Sequence, residues 1–230
     1  MLAFLDIEAS SLLSPHSYPI EIGWVAADLS AGYVAMIRPE PDWTDWSAEA
    51  ESIHGLAPDA IRRVGEPATE VASALNNMLS GANIATDSPG TDARWLQRLF
   101  VAADIPAAIP LFPCMDGEAA APHVIQDSDT ILVRAAEQSS MSAEDLEVIG
   151  SVVFHGAGLR QHRALDDALF QAICFQITRW DRQSLERELL RQIIARVETV
   201  KARILGGAMA RHIGGGGQSV ELLRTVLDRS

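Results

Sequence analysis

The sequence predicts a mixed α/β fold: three antiparallel strands, then parallel strands, flanked by helices and followed by a C-terminal helical extension. Three observations carry this. Extended apolar runs crowd into the first 38 residues, helix-period segments alternate with short apolar runs from residue 47 onward, and beyond residue 180 the pattern is helical only. At 230 residues and 48% hydrophobic, the chain is long enough for one sizeable domain with an appendage.

The first strand carries Phe4-Leu5-Asp6-Ile7-Glu8-Ala9-Ser10. Tyr18 to Leu29 and Ala31 to Arg38 follow as strands, joined near Gly32 into a hairpin. Pro, Asp and Trp content makes 39–46 a loop; Ser47 then caps a short helix to His54, which Gly55 ends. Ala57 to Val64 and Glu66 to Ser80 are helices, the second with Val71, Ala74, Leu75, Met78 and Leu79 at helical spacing and Gly81 as its stop. Asn83 to Thr86 is a brief buried strand, and Ser88-Pro89 opens a helix whose Trp95, Leu96, Leu99 and Phe100 share a face. Ile109 to Cys114 is a strand, an Ala/Pro/Gly/Asp-rich loop comes next, and Ser128 to Gln138, Ser142 to Ile149 and Arg160 to Arg179 are helices. Asp181 to Leu205 is a long helix striped by Leu185, Leu189, Ile193, Ile194, Val197 and Val200. Four glycines at 214–217 form a flexible run that leaves Gln218 to Leu227 as a loosely attached terminal helix.

The net charge is −13, from 18 Lys+Arg against 31 Asp+Glu. Residues 1–178 hold 8 cationic against 25 acidic side chains, whereas residues 179–230 hold 10 against 6. Such an acidic body excludes a strong nonspecific binder of duplex DNA and fits an enzyme whose metals offset charge locally. Cys114 and Cys174 lack the spacing of a zinc site and read as buried thiols of a reducing compartment. No apolar run reaches the length of a membrane span, and Asp6 falls too early for the core of a secretory signal, so a cytoplasmic protein is expected.

Strand alternation sends Asp6 and Glu8 to the same face while Leu5 and Ile7 take the other. Two carboxylates so close repel unless something positive lies between them, and Mg2+ or Mn2+ is the usual answer. Asp92, in the first turns of its helix, and Asp167 are candidates for further oxygen ligands. In Gln161-His162-Arg163-Ala164-Leu165-Asp166-Asp167, His162 precedes Asp167 by five residues. On a helix that spacing turns through roughly 140°, so one side chain could bind metal while the other stands off. Asp87 and Asp166 are competing carboxylates: Asp87 can instead cap a helix, and Asp166 can sit on a solvated face.

Together these segments resemble the DEDDh (DnaQ-like) family of 3′→5′ exonucleases, which includes ribonuclease T, oligoribonuclease and the proofreading subunit of bacterial replicative polymerase. Asp6 and Glu8 match its first motif, Asp92 its second, and His162 with Asp167 its third, His-x4-Asp; Ile53-His54-Gly55-Leu56 is similar to a supporting segment between the first two. The chain departs from the pattern at Thr91, where the family usually has an aromatic residue, at Asp87-Ser88, where His-Asn is frequent, and at Ser10-Ser11. The resemblance implies a ribonuclease H-like exonuclease domain over 1–178 and a helical extension over 179–230. It implies two Mg2+ or Mn2+ ions held by Asp6, Glu8, Asp92 and Asp167, with His162 as the base. The implied reaction is hydrolysis of single-stranded or short nucleic acid ends to nucleoside 5′-monophosphates, RNA slightly favoured over DNA. Leu12 would press against the last base and His54 would contact the terminal nucleotide, while Trp43 and Trp46 either stack on nucleotides or pack into a core. Two alternatives stay open: a DNA proofreading or repair exonuclease, and a catalytically impaired binding or scaffold module. Several family members are dimers, which adds a homodimer through the C-terminal helix to the expected partners.

Overall fold

The computed structural model describes residues 1–113, 124–139, 142–179, 187–212 and 222–226. Among the described residues a six-stranded sheet has the strand order β3-β2-β1-β4-β6-β5. β1 (Leu2–Ala9), β2 (Pro19–Ala26) and β3 (Gly32–Met36) are antiparallel neighbours; β4 (Asn83–Thr86) pairs parallel to β1, and β5 (Phe112–Pro113) and β6 (Val124–Asp127) continue the parallel half. The mixed sheet expected from the sequence is present.

Strand alternation sorts β1 between two cores. Ala3, Leu5, Ile7 and Ala9 belong to one, with α2 (Pro58–Val64), α3 (Ala68–Leu79) and α4 (Pro89–Ala103); α1 (Ala48–His54) precedes this group, with Ser47 accepting from Ala50 N as its cap. Phe4 lies in the other core, with α6 (Ala143–Gly156), α7 (Ala164–Ile177) and α8 (Arg187–His212), while α5 (Ser128–Glu137) packs on α7 and β4. Asp6 and Glu8 therefore leave β1 on the side that α7 covers.

Several boundaries differ from the sequence reading. Of the strand expected over 109–114, Phe112–Pro113 is the strand among the described residues, and Pro110 before it has no N–H for a ladder. β6 occupies four residues at the end of a stretch read as loop, and its partner β4 lies far off in sequence. α6 continues beyond Ile149 to Gly156. Gly150 is a packing glycine there, its missing Cβ leaving room for the Phe170 ring at 3.2 Å and Cys174 Sγ at 3.3 Å. The helix expected from Arg160 begins at Ala164, and α8 runs through Gly206 and Gly207 to His212.

Ile193, Val197, Val200, Ile204 and Ala208 of α8 are buried in the second core, so this described part of the apolar stripe is covered by the chain's own β3, α6 and α7. Leu185, Cys114 and the glycine run lie outside the described residues. The described part of the terminal helix, 222–226, is docked rather than loose: Leu223 and Val226 are buried in the first core. Among the described residues no helix is long and apolar enough to cross a membrane.

Candidate active site

The carboxyl ends of β1 and β4 open on a cavity of about 620 Å³ lined by Asp6, Glu8, Asp92, His162 and Asp167. Three separated segments supply them. β1 contributes Asp6 and Glu8, the first turn of α4 contributes Asp92, and α7 with the turn before it contributes Asp167 and His162. One ligand atom each from Glu8, His162 and Asp167 can be chosen so that all three lie within 4.8 Å of one another.

A close backbone approach brings α7 to this edge. Gly23 of β2 pairs with Asp6, and a Cβ built on it would lie 2.5 Å from the Ala164 carbonyl carbon. Only glycine lets the start of α7 rest there. The next same-face residue of β2, Glu21, pairs with Glu8 across the strands. Its carboxylate accepts from Arg163 Nη2 at 2.7 Å, Arg163 Nε at 3.1 Å and Ala164 N at 3.0 Å, which fixes the entry to α7 through a buried ion pair. Burial alone would raise the Glu21 carboxyl, but the Arg163 guanidinium and these hydrogen bonds hold it below its ordinary value.

His162 is not on the helix. It occupies a turn in left-handed backbone, φ +59°, where its N–H donates to Asp167 Oδ2 at 2.7 Å; Arg163 N donates to the same oxygen at 3.3 Å. The helical rotation expected between His162 and Asp167 therefore does not apply, and the turn itself sets their proximity. One Asp167 oxygen is committed to the turn.

Asp92 is buried and accepts a hydrogen bond from the Thr86 hydroxyl. Asp87 is exposed on the cavity rim. Asp166, the other competitor, points elsewhere: it is buried on Lys201 and Arg160 rather than solvated. Burial, then the Glu8, Asp92, Asp167 and Asp87 charges, push Asp6 well above the ordinary carboxylate range. Burial chiefly, with Glu21 and Asp167, raises Glu8 to about 8; burial raises Asp92 to about 8 against the Thr86 bond, and Asp167 to about 7 against its two backbone bonds. Clustered carboxylates that resist ionisation, with a histidine among them, are the donor set a hard divalent cation fits.

Of the expected substrate contacts, Leu12 is 65% exposed at the cavity mouth. His54 is buried away from the cavity lining; its Nδ1 accepts from Leu56 N, and burial lowers its pKa to about 4. Trp43 stacks on Tyr18 and Trp46 donates to Glu51, so both are engaged within the fold. Sequence reasoning missed one wall altogether. Glu147, Ser151, Phe154 and His155 of α6, with Phe170 of α7, line the cavity, and the helical spacing of 147, 151 and 155 would have disclosed it had α6 been carried past Gly150.

No family model and no curated protein matches the chain. Solved structures do. The E. coli exonuclease I complex with a dA16 oligonucleotide matches with TM-score 0.54 and 15% identity over 75% of this chain and 39% of that one. An apo exonuclease I structure gives 0.55 and 14% over 83% and 43%, and the exonuclease I of Methylocaldum szegediense 0.53 and 14% over 80% and 41%. The fold is ribonuclease H-like. The chain spans about two fifths of the length of these exonuclease I structures, and at this identity the likeness reaches the fold alone.

Proposed function

We propose that this chain is a metal-dependent 3′→5′ exonuclease of the DEDDh type, which hydrolyses single-stranded or short nucleic acid ends to nucleoside 5′-monophosphates. The observation that carries this is the convergence of Asp6, Glu8, Asp92, His162 and Asp167, from three distant segments, on one cavity. The likeness to exonuclease I, solved with single-stranded oligonucleotides, supports it.

Asp6, Glu8, Asp92 and Asp167 would hold two Mg2+ or Mn2+ ions; when bound, such ions acidify water and stabilise charge on a departing 3′ oxygen. His162 takes the proton of the attacking water on an imidazole nitrogen. The Asp167 hydrogen bonds to His162 N and Arg163 N keep that imidazole beside the carboxylates. Leu12, exposed and apolar at the mouth, meets the face of the terminal base, and Phe154 and Phe170 offer further apolar surface in the cavity lining.

The sequence leans towards RNA. The dA16 and dT13 oligonucleotides of the exonuclease I complexes favour DNA as a second reading. A homodimer through α8 would need a face other than its covered stripe. The test is digestion of 5′-labelled single-stranded RNA and DNA with Mn2+, with a 3′-phosphate-blocked strand beside each. Stepwise shortening from an open 3′ end with 5′-mononucleotide products is expected; internal cuts or 3′-mononucleotides would overturn the assignment.

A further inference from the structure

The turn that carries His162 is held from behind by the C-terminal extension. The chain contains one lysine, Lys201, and its ammonium lies beneath this turn. Lys201 Nζ contacts three oxygens: Asp166 Oδ1 at 2.8 Å, Asp166 Oδ2 at 2.9 Å and the Gly158 carbonyl at 3.2 Å. The contacts to Asp166 Oδ2 and the Gly158 carbonyl are hydrogen bonds, and the approach to Asp166 Oδ1 completes the ion pair. Asp166 Oδ2 also accepts from Arg160 N at 3.0 Å, so the ammonium and the carboxylate tie both ends of the Gly158–Asp166 segment together. A second tie comes from the terminal turn: Arg163 Nη1 donates to the Val226 carbonyl at 3.1 Å, with Leu223 and Val226 buried beside it.

Two residues of this segment, Gly158 and His162, have left-handed backbone, at φ +61° and φ +59°. For histidine that conformation is disfavoured, so the surroundings must hold it. A free loop would relax, and the imidazole would leave the Glu8 and Asp167 carboxylates.

We propose that the C-terminal extension is a positioning clamp for the catalytic turn, with Lys201 and the Val226 carbonyl as its two contacts, so that residues remote from the cavity set the turnover rate. Lys201 touches neither the cavity nor its carboxylates and is a positioning residue. The inference rests on the exonuclease reading for its effect on rate, but not for its effect on the turn.

The test uses the full chain with Lys201→Met, which removes the charge and keeps the stem. Amide hydrogen exchange at His162 and Arg163 is measured without metal, and kcat and KM are measured with Mn2+ and a 5′-labelled single-stranded oligonucleotide. Expected are exchange at least about tenfold faster at both amides, kcat down roughly tenfold and KM within about twofold. Unchanged exchange overturns the clamp whatever happens to the rate, and faster exchange with unchanged kcat overturns its bearing on turnover. If Lys201→Met does not fold, Leu223→Ala loosens the second tie and is read by the same criteria. Should the unaltered chain cleave nothing, the exonuclease reading fails, and the exchange measurement alone decides the clamp.

Discussion

Replacing Glu8 with glutamine should stabilise the metal-free protein, and more so as pH rises. The Glu8 carboxyl is raised to about 8 by burial, Glu21 and Asp167, whereas the unfolded chain carries it at its ordinary 4.5. A raised carboxyl contributes stability below its unfolded pKa and loses it as pH climbs towards the folded value. At about pH 5 the loss at this position is under about 1 kcal/mol; by about pH 8 it reaches roughly 3–5 kcal/mol, at about 1.4 kcal/mol per unit. Glutamine has no proton to take up, so Glu8→Gln avoids the loss. In a chain of this size about 1 kcal/mol moves Tm by roughly 2–4 °C, so the variant should gain about 6–15 °C in EDTA at the higher pH and little at the lower. Circular-dichroism melts at both pH values read the difference. Mn2+ should stabilise the unaltered chain and leave the variant nearly unmoved. An equal shift at both pH values, or a variant less stable than the parent at about pH 8, would refute the electrostatic reasoning.

Three further outcomes follow from the same geometry. Gly23→Ala places a Cβ 2.5 Å from the Ala164 carbonyl carbon and should cost about 2–4 kcal/mol of stability in denaturant titration, with activity lost because α7 must retreat. Thr86→Val deletes the hydroxyl that donates to Asp92 and should weaken Mn2+ binding roughly 10–100-fold by calorimetry, with Thr86→Ser restoring it. His162→Gln should lower kcat about 10²–10⁴-fold while the carboxylates still bind metal, measured by steady-state kinetics beside a Mn2+ titration.

What the sequence disclosed depended on the range of the interaction responsible. Asp6 and Glu8 were legible because the period-two alternation of a strand is local, and Ser47 and Gly55 because caps act within one turn. Asp92 was legible from a helix start at Ser88-Pro89. The His162 turn was not: positive φ on a histidine leaves no glycine to announce it, and Ala164-Leu165 continues a helical pattern backwards without a break. Gly150 misled for the converse reason. The expected helix ended at Ile149, just before it, yet this glycine sits inside α6 and allows close contact between α6 and α7, a partner no local window contains. β6 escaped notice because its four residues are defined by parallel pairing with β4, and Asp166 because the lysine that buries it lies 35 positions away.

The claim that five converging side chains form one metal-dependent nuclease centre is tested most directly by Asp6→Ala. Asp6 lies beside Glu8 on β1 and lines the cavity with the other three carboxylates. Release of mononucleotides from a single-stranded oligonucleotide is followed for the parent and the variant, each with Mn2+ and with EDTA. The structure predicts rapid release by the parent only with Mn2+ and a loss of at least about a thousandfold in the variant. Equal release by parent and variant, or release that survives EDTA, would contradict it.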